Sequence, residues 1–342
     1  MPAQPHVLVL TAPGDQHARR VCTMLTDRGV RVTVFDPADL PVRARLSAGC
    51  DAQGRFAHVL HRGEERVELA DVTAVWVRKP GAVGSDPALT GPVAALATAE
   101  LARLADDVWA GIDRPTLPAT RDTIRLAGQK LGQLRLAGML GFELPPTLVT
   151  TDPDALLDFW DEHQGAVISK PLERPWLRED DGGALTRKAE PVTVHDVTAA
   201  ASAVLCPVIV QAYVPKHVEL RVTVVGGQVF AAEIHSQQSN HTRLDWRCYD
   251  GATTRHAVHD LPGPVRDRCL RLVSELGLRY GAIDLVLTPD RRYVFLEINP
   301  NGQWLWIEDA TGLPISAAIA DELQRLAAPA PAHDLPPIGA LR

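Results

Sequence analysis

The stretch Tyr293-Val294-Phe295-Leu296-Glu297-Ile298-Asn299-Pro300-Asn301-Gly302 alternates apolar with polar residues and stops at a proline and a glycine. In a strand successive side chains leave on opposite faces, so Glu297 and Asn299 share one face while Val294, Leu296 and Ile298 pack on the other. The segment before it, Gly281-Ala282-Ile283-Asp284-Leu285-Val286-Leu287, is an apolar strand with one acid, and Thr288-Pro289-Asp290-Arg291 reads as the connecting turn. With Asp284 opposite Phe295, its carboxylate meets Glu297 on the diagonal, about 7–8 Å away between backbones. Hard divalent cations take oxygen ligands, and magnesium uses one or two protein carboxylates while leaving places for phosphate oxygens and water. Asp284, Glu297 and Asn299 are therefore the candidate metal ligands. The plainer alternative is a wet sheet face, but an acid inside an Ile-Asp-Leu-Val-Leu run is costly to bury without a partner.

Upstream, Glu219-Leu220-Arg221-Val222-Thr223-Val224-Val225 repeats the design, with polar residues at odd positions and apolar ones at even positions. Glu219 and Arg221 share a face, and Arg221 is suited to neutralise a transferring phosphoryl group or an acyl phosphate. The alternative is a solvated ion pair on a sheet surface. Lys170 ends the apolar strand Ala166 to Lys170, just before the polar, glycine-bearing segment Glu173 to Ala184, which reads as a mobile loop or lid. Lys130 lies in a helix expected over Thr120 to Leu140, where a solvated basic face with Arg125 and Arg135 is the competing reading. No GxxxxGK[ST] run occurs, so a P-loop is excluded as the phosphate site.

The rest of the chain frames these strands. His6 to Leu10, a helix near Gln16 to Arg28 and a strand Arg31 to Phe35 form a βαβ start, without the GxGxxG of a dinucleotide site. Strands follow near Phe56 to Leu60, Arg66 to Leu69 and Val72 to Val77, and then a helix over Ala94 to Val108. From Thr147 the pattern is strand, helix opened by Asp152-Pro153, strand, helix near His195 to Leu205, and strand Val208 to Tyr213. Val218 to Val225, Gln228 to Ile234 and the C-terminal hairpin make a second, antiparallel sheet, interrupted by a helix near Pro264 to Leu276. Leu313 to Leu326 reads as a closing helix. The expected domains are 1–118, 119–213 with the lid, 214–326 with the metal site, and a flexible tail over 327–342.

The 342 residues are 46% hydrophobic and 23% charged with a net charge of −7, the composition of an ordinary globular protein. That charge argues against nucleic-acid binding. No stretch reaches transmembrane length, and no signal segment opens the chain, so a cytoplasmic protein with no membrane partner is expected. The five cysteines are scattered and read as free thiols, and His235, His241, Cys248, His256 and His259 match no common zinc spacing.

In order and spacing, Lys130, Lys170, Val210-Gln211-Ala212-Tyr213-Val214, Glu219, Arg221, Asp284, Glu297 and Asn299 resemble the ATP-grasp superfamily. Ala74-Val75-Trp76-Val77-Arg78-Lys79-Pro80, Pro145-Pro146-Thr147, Ala232-Glu233-Ile234-His235-Ser236, Leu244-Asp245-Trp246-Arg247 and Glu297 to Trp304 narrow the likeness to graspetide synthetases, relatives of the microviridin-type ligases. The resemblance implies an α/β grasp fold, with a βαβ pre-ATP-grasp domain followed by a two-lobed ATP-grasp fold with antiparallel sheets. It implies ATP and two Mg2+ ions as cofactors, the latter on Asp284, Glu297 and Asn299. Lys130 and Lys170 would grip phosphates, Gln211, Tyr213 and Val214 line the adenine, and Glu219 contact the nucleotide. Arg221 would act at the acyl phosphate. Arg78 would hold an acidic side chain of the substrate as part of the catalytic set, and His235, Asp245 and Arg247 would line the acceptor side. The implied partner is a ribosomal precursor peptide with a leader and an acidic core, whose Asp or Glu side chains are joined to Ser or Thr hydroxyls or Lys amines. A homodimer is expected by analogy. Two other readings stay open: an amino-acid ligase of the same fold acting on a protein tail or small molecule, and a binding module that has lost the chemistry.

Overall fold

The computed structural model describes residues 4–172, 177–178, 184–185, 189–238 and 254–328. The chain divides into two compact units, one holding the residues up to Ile124, Leu278–Tyr280 and the segment from Pro314, the other holding Arg125–Gly277 and Gly281–Leu313.

In the first unit the apolar strands His6–Thr11 and Ala74–Lys79 form the centre of a parallel sheet, with Arg31–Phe35 and Thr116–Leu117 at its edges. Both faces of such a sheet are covered, which is why these strands carry continuous rather than alternating apolar residues. Leu8, Leu10, Phe35, Val75 and Val77 meet Ala105 and Val108 of the long helix Gly91–Gly111 in one core. Asp15 caps the helix Gln16–Asp27 by accepting from the Ala18 amide. The closing helix Ile315–Ala327 packs against that helix, and Arg28 reaches Asp321 at 2.7 Å. A small antiparallel sheet of Ala44–Cys50, Phe56–Arg62 and Glu65–Glu68 completes the unit. The sequence pattern did not announce Ala44–Cys50, because most of this strand is exposed and carries small residues with no apolar face to mark it.

The second unit contains two sheets built mainly by antiparallel pairing. One runs in the order Glu190–Pro191, Val167–Lys170, Val208–Ala212 and Thr147–Thr150. The other runs His256–Val258, Gln228–Ile234, Val218–Val225, Tyr280–Leu287 and Tyr293–Asn299. The helix Gly263–Glu275 packs on this larger sheet and buries Val265, Cys269, Leu272 and Val273. Both sheets therefore have apolar interior faces, as the alternation required.

Two local expectations are corrected. The single helix expected over Thr120 to Leu140 is two, Arg121–Ala127 and Lys130–Met139. Gly128 weakens the helix, Gln129 is extended, and the Gln133 side chain donates to the Ala127 carbonyl at 2.6 Å, satisfying an acceptor that a helix end leaves open. A helix over Leu305–Thr311, unforeseen in the sequence, follows the C-terminal hairpin and ends on Gly312 in the left-handed region. The expected lid, Glu173 to Ala184, lies almost wholly outside the described residues; within it Leu177–Arg178 pairs with Ala184–Leu185.

Candidate active site

The C-terminal hairpin places two carboxylates directly against each other. Asp284 is the cross-strand partner of Glu297, while Phe295 pairs with Leu285, so Leu296 is an extra residue on its strand. This corrects the expected diagonal arrangement. A bulge of this kind changes which face the following side chains take, so Glu297 and Asn299 join Asp284 and Val294 on one face while Phe295 turns to the other. There Phe295 packs against Phe142 with the rings tilted and their centroids 5.5 Å apart. Asp284 is 5% exposed and Glu297 8%, which removes the reading of both as wet-face residues.

Like charges directly opposite each other are unfavourable, and each carboxylate has a cation beside it. Arg221 Nε lies 3.2 Å from Asp284 Oδ1, with both side chains buried. Lys130 Nζ donates to Glu297 Oε2. Lys130 opens its helix, and one turn on Gln133 donates to the Ile298 carbonyl at 2.9 Å and accepts from the Ile298 amide at 3.1 Å. Gln133 thereby ties the lysine helix to the residue between Glu297 and Asn299. The competing reading of Lys130 as part of a solvated basic face does not hold, since the break at Gly128 turns it onto this strand.

Arg221 is held from a second side by Trp306, whose ring centroid lies 5.8 Å from the guanidinium carbon. Trp306 also meets His256 in an edge-on contact at 5.4 Å. A side chain at Gly302 would start 2.3 Å from the Ala282 Cβ and 3.4 Å from Arg221 Nη1, so only glycine lets this loop close over the arginine. The Asn299 side chain accepts from the Asn301 amide at 3.0 Å and shapes the same loop.

In the four-stranded sheet, Lys170 Nζ donates to Gln211 Oε1 at 3.3 Å, and Gln211 Nε2 donates to Thr147 Oγ1 at 2.8 Å. Gln211 is buried on the central strand, and the Tyr213 amide continues the ladder to the Ala166 carbonyl at 2.8 Å. Half-buried Val214 then leads toward the larger sheet. Glu219 accepts from Lys216 Nζ at 2.7 Å, both side chains being nearly inaccessible. Lys216, Gln133 and Trp306 were not singled out from the sequence. The signal for Lys216 is a basic residue three positions before Glu219, and that for Gln133 is its helical spacing from Lys130.

Two further predicted residues, His235 and Arg78, have acidic partners of their own. Arg221 pairs with Ala232 and Leu220 with Glu233, so Glu233 projects from the opposite face. His235 Nε2 lies 2.9 Å from one oxygen of Glu233, and His259 Nδ1 lies 2.8 Å from the other. Burial would raise the Glu233 carboxyl, but the His259 hydrogen bond and the two imidazoles hold it below its ordinary range. Arg78, at the carboxyl end of its strand, is 1% exposed, and its Nε lies 3.3 Å from Asp15 Oδ2. Beside it burial, then the Arg78 charge, pushes the His17 imidazole down to about 4. Asp245 and Arg247 lie outside the described residues.

The donor set suits magnesium. Asp284 and Glu297 present hard oxygens from directly paired positions, and Asn299 adds an amide oxygen on the same face. Among the described residues no group of three His, Cys, Asp or Glu side chains forms a metal cluster.

Residues 6–121 match the family model described as MvdD pre-ATP grasp domain, and residues 184–323 match that of the RimK-like ATP-grasp domain. No curated protein matches the chain. Macrocyclase MdnB from Microcystis aeruginosa MRC is 31% identical, with 93% of this chain and 98% of that one aligned and a TM-score of 0.78. Macrocyclase MdnC from the same organism, solved with precursor peptide MdnA, is 29% identical over 94% and 99%, with a TM-score of 0.83. A Chryseobacterium gregarium RiPP-associated ATP-grasp ligase, solved with ADP and a leader and core peptide, is 28% identical over 96% and 98%, with a TM-score of 0.86.

Proposed function

This chain belongs to the family of ATP-grasp macrocyclases, and on that premise we propose that it phosphorylates Asp or Glu side chains of a ribosomal precursor peptide and joins them to Ser or Thr hydroxyls or Lys amines. The observation that carries the reading is the buried pair Asp284 and Glu297, flanked by Arg221 and Lys130. Two of the structures it resembles at 28–29% identity were solved with a precursor peptide or with a leader and core peptide, which favours this substrate over a free amino acid or a protein tail. The two sheets of the second unit serve as the cores of the grasp lobes proposed over 119–213 and 214–326, the closing helix of the latter stretch returning to the first unit.

A carboxylate is a poor electrophile, so its oxygen must first attack the γ-phosphorus of ATP, with the β–γ bridging bond breaking and ADP leaving with the electron pair. The hydroxyl or amine then attacks the carbonyl carbon, the carbon–oxygen bond to phosphate breaks, and phosphate leaves with the electron pair while the nucleophile's proton passes to phosphate or solvent. Arg221, fixed by Asp284 and Trp306, lies ready to meet the charge that builds on the transferring group. Lys130 and Lys170 hold the phosphates, Gln211 to Val214 line the base, and Glu219, braced by Lys216, takes the nucleotide's remaining polar edge. Asp284, Glu297 and Asn299 would hold two magnesium ions, which supply charge neutralisation and in-line alignment of the phosphates when bound.

Arg78, whose guanidinium lies 3.3 Å from Asp15, is assigned to holding an acidic side chain of the peptide as part of the catalytic set. His235, Asp245 and Arg247 remain assigned to the acceptor side. The proposed place of work is the cytoplasm, where ATP and newly made peptide meet. Incubation with ATP, magnesium and the acidic peptide encoded beside the gene should remove one water per bond formed, read by mass spectrometry. Glu297→Gln should abolish that loss, and unchanged dehydration by the variant would remove the metal assignment.

A further inference from the structure

We infer that Lys130 is a built-in counter-ion that keeps a bare divalent cation off Glu297 until nucleotide phosphates draw its ammonium away, so that metal and nucleotide enter together. The inference rests on the proposed roles of Glu297 as metal ligand and Lys130 as phosphate contact. Three observations carry it.

Asp284 and Glu297 are directly opposed and buried, an arrangement that needs positive charge at all times. That charge is supplied within the chain by Arg221 on one carboxylate and Lys130 on the other. The two cations also differ in their freedom. Arg221 is 5% exposed and lies under Trp306 and the Gly302 loop, whereas Lys130 is 23% exposed and carries a flexible stem. Finally, the lysine is delivered by design. Gln133 binds both backbone groups of Ile298, so the helix that starts at Lys130 is fixed beside Glu297 rather than resting there by chance.

A cation coordinating Glu297 therefore meets an ammonium already held on the same carboxylate. When polyphosphate offers that ammonium three or more oxygens instead, its displacement becomes favourable. Binding of each partner then strengthens binding of the other by the same factor.

The test uses Mn2+ as the probe, because the free ion gives a sharp electron paramagnetic resonance spectrum that is lost on binding. Wild type titrated with Mn2+ alone should bind at least about tenfold more weakly than in the presence of ADP, after correction for Mn2+ held by ADP in solution. Lys130→Met should bind Mn2+ without nucleotide about tenfold more tightly than wild type, and Lys130→Arg, which keeps the charge, should stay close to wild type. Adding Glu297→Gln to Lys130→Met should abolish the gain. Equal Mn2+ binding by wild type and Lys130→Met without nucleotide would overturn the inference alone, provided Glu297→Gln still weakens binding with ADP. Indifference of Mn2+ binding to Glu297→Gln in every arm would overturn the ligand assignment and the inference with it.

Discussion

At the scale of single residues the site is an exercise in opposing buried charges. Arg221 is the group on which stability and the proposed chemistry both depend, because it faces Asp284 in the interior. Replacing it with Ala leaves an uncompensated buried carboxylate, at a cost of about 3–5 kcal/mol in urea unfolding. Arg221→Lys retains the charge and most of the stability but loses the planar fork, and kcat should fall on the order of a hundredfold. His17 gives a pH signature. Its folded value of about 4 lies below that of a free imidazole, so between those values the unfolded chain binds the extra proton and stability falls as the pH is lowered. The loss should be fully developed near pH 4, on the order of 2–3 kcal/mol, and His17→Gln should flatten it in denaturation midpoints measured across that window. Asp284, Glu297 and Arg221 were legible in the sequence because charge inside an apolar strand is conspicuous. Gln133 and Lys216 were not, since a polar residue in a helix or a loop looks ordinary until its partner is known.

At the scale of elements, the bulge at Leu296 decides the geometry. The strand's own alternation correctly put Glu297 and Asn299 on one face, but the offset that brings Asp284 opposite Glu297 belongs to the pairing of two strands and is invisible in either alone. The loop after it is equally constrained. Gly302→Ala would drive a methyl into Ala282 and against Arg221, and should cost about 1–3 kcal/mol while lowering kcat more than it raises KM for ATP. The split of the Lys130 helix escaped the sequence reading for a related reason, because the Gln133 clamp that fixes it reaches across 165 positions to Ile298. Gln133→Leu removes three hydrogen bonds at once, and should destabilise the protein by about 2–3 kcal/mol with a matching weakening of nucleotide binding, measurable by titration of ADP.

At the scale of the molecule, the order of patterns along the chain carried the architecture. The βαβ opening announced the α/β first unit, and the clustered alternating strands from Val218 onward announced the larger antiparallel sheet of the second. The return of the closing helix Ile315–Ala327 to the first unit was not legible, because an amphipathic helix does not say which surface it will cover. The account's central claim is that this architecture makes an acyl phosphate on a peptide carboxylate. The direct measurement supplies a core peptide whose Asp and Glu carboxylates carry heavy oxygen, with ATP and magnesium, and follows the label by mass spectrometry. The prediction is one heavy oxygen in inorganic phosphate for each crosslink formed, with ADP unlabelled. Label appearing in AMP, or crosslinks formed while phosphate stays unlabelled, would contradict it.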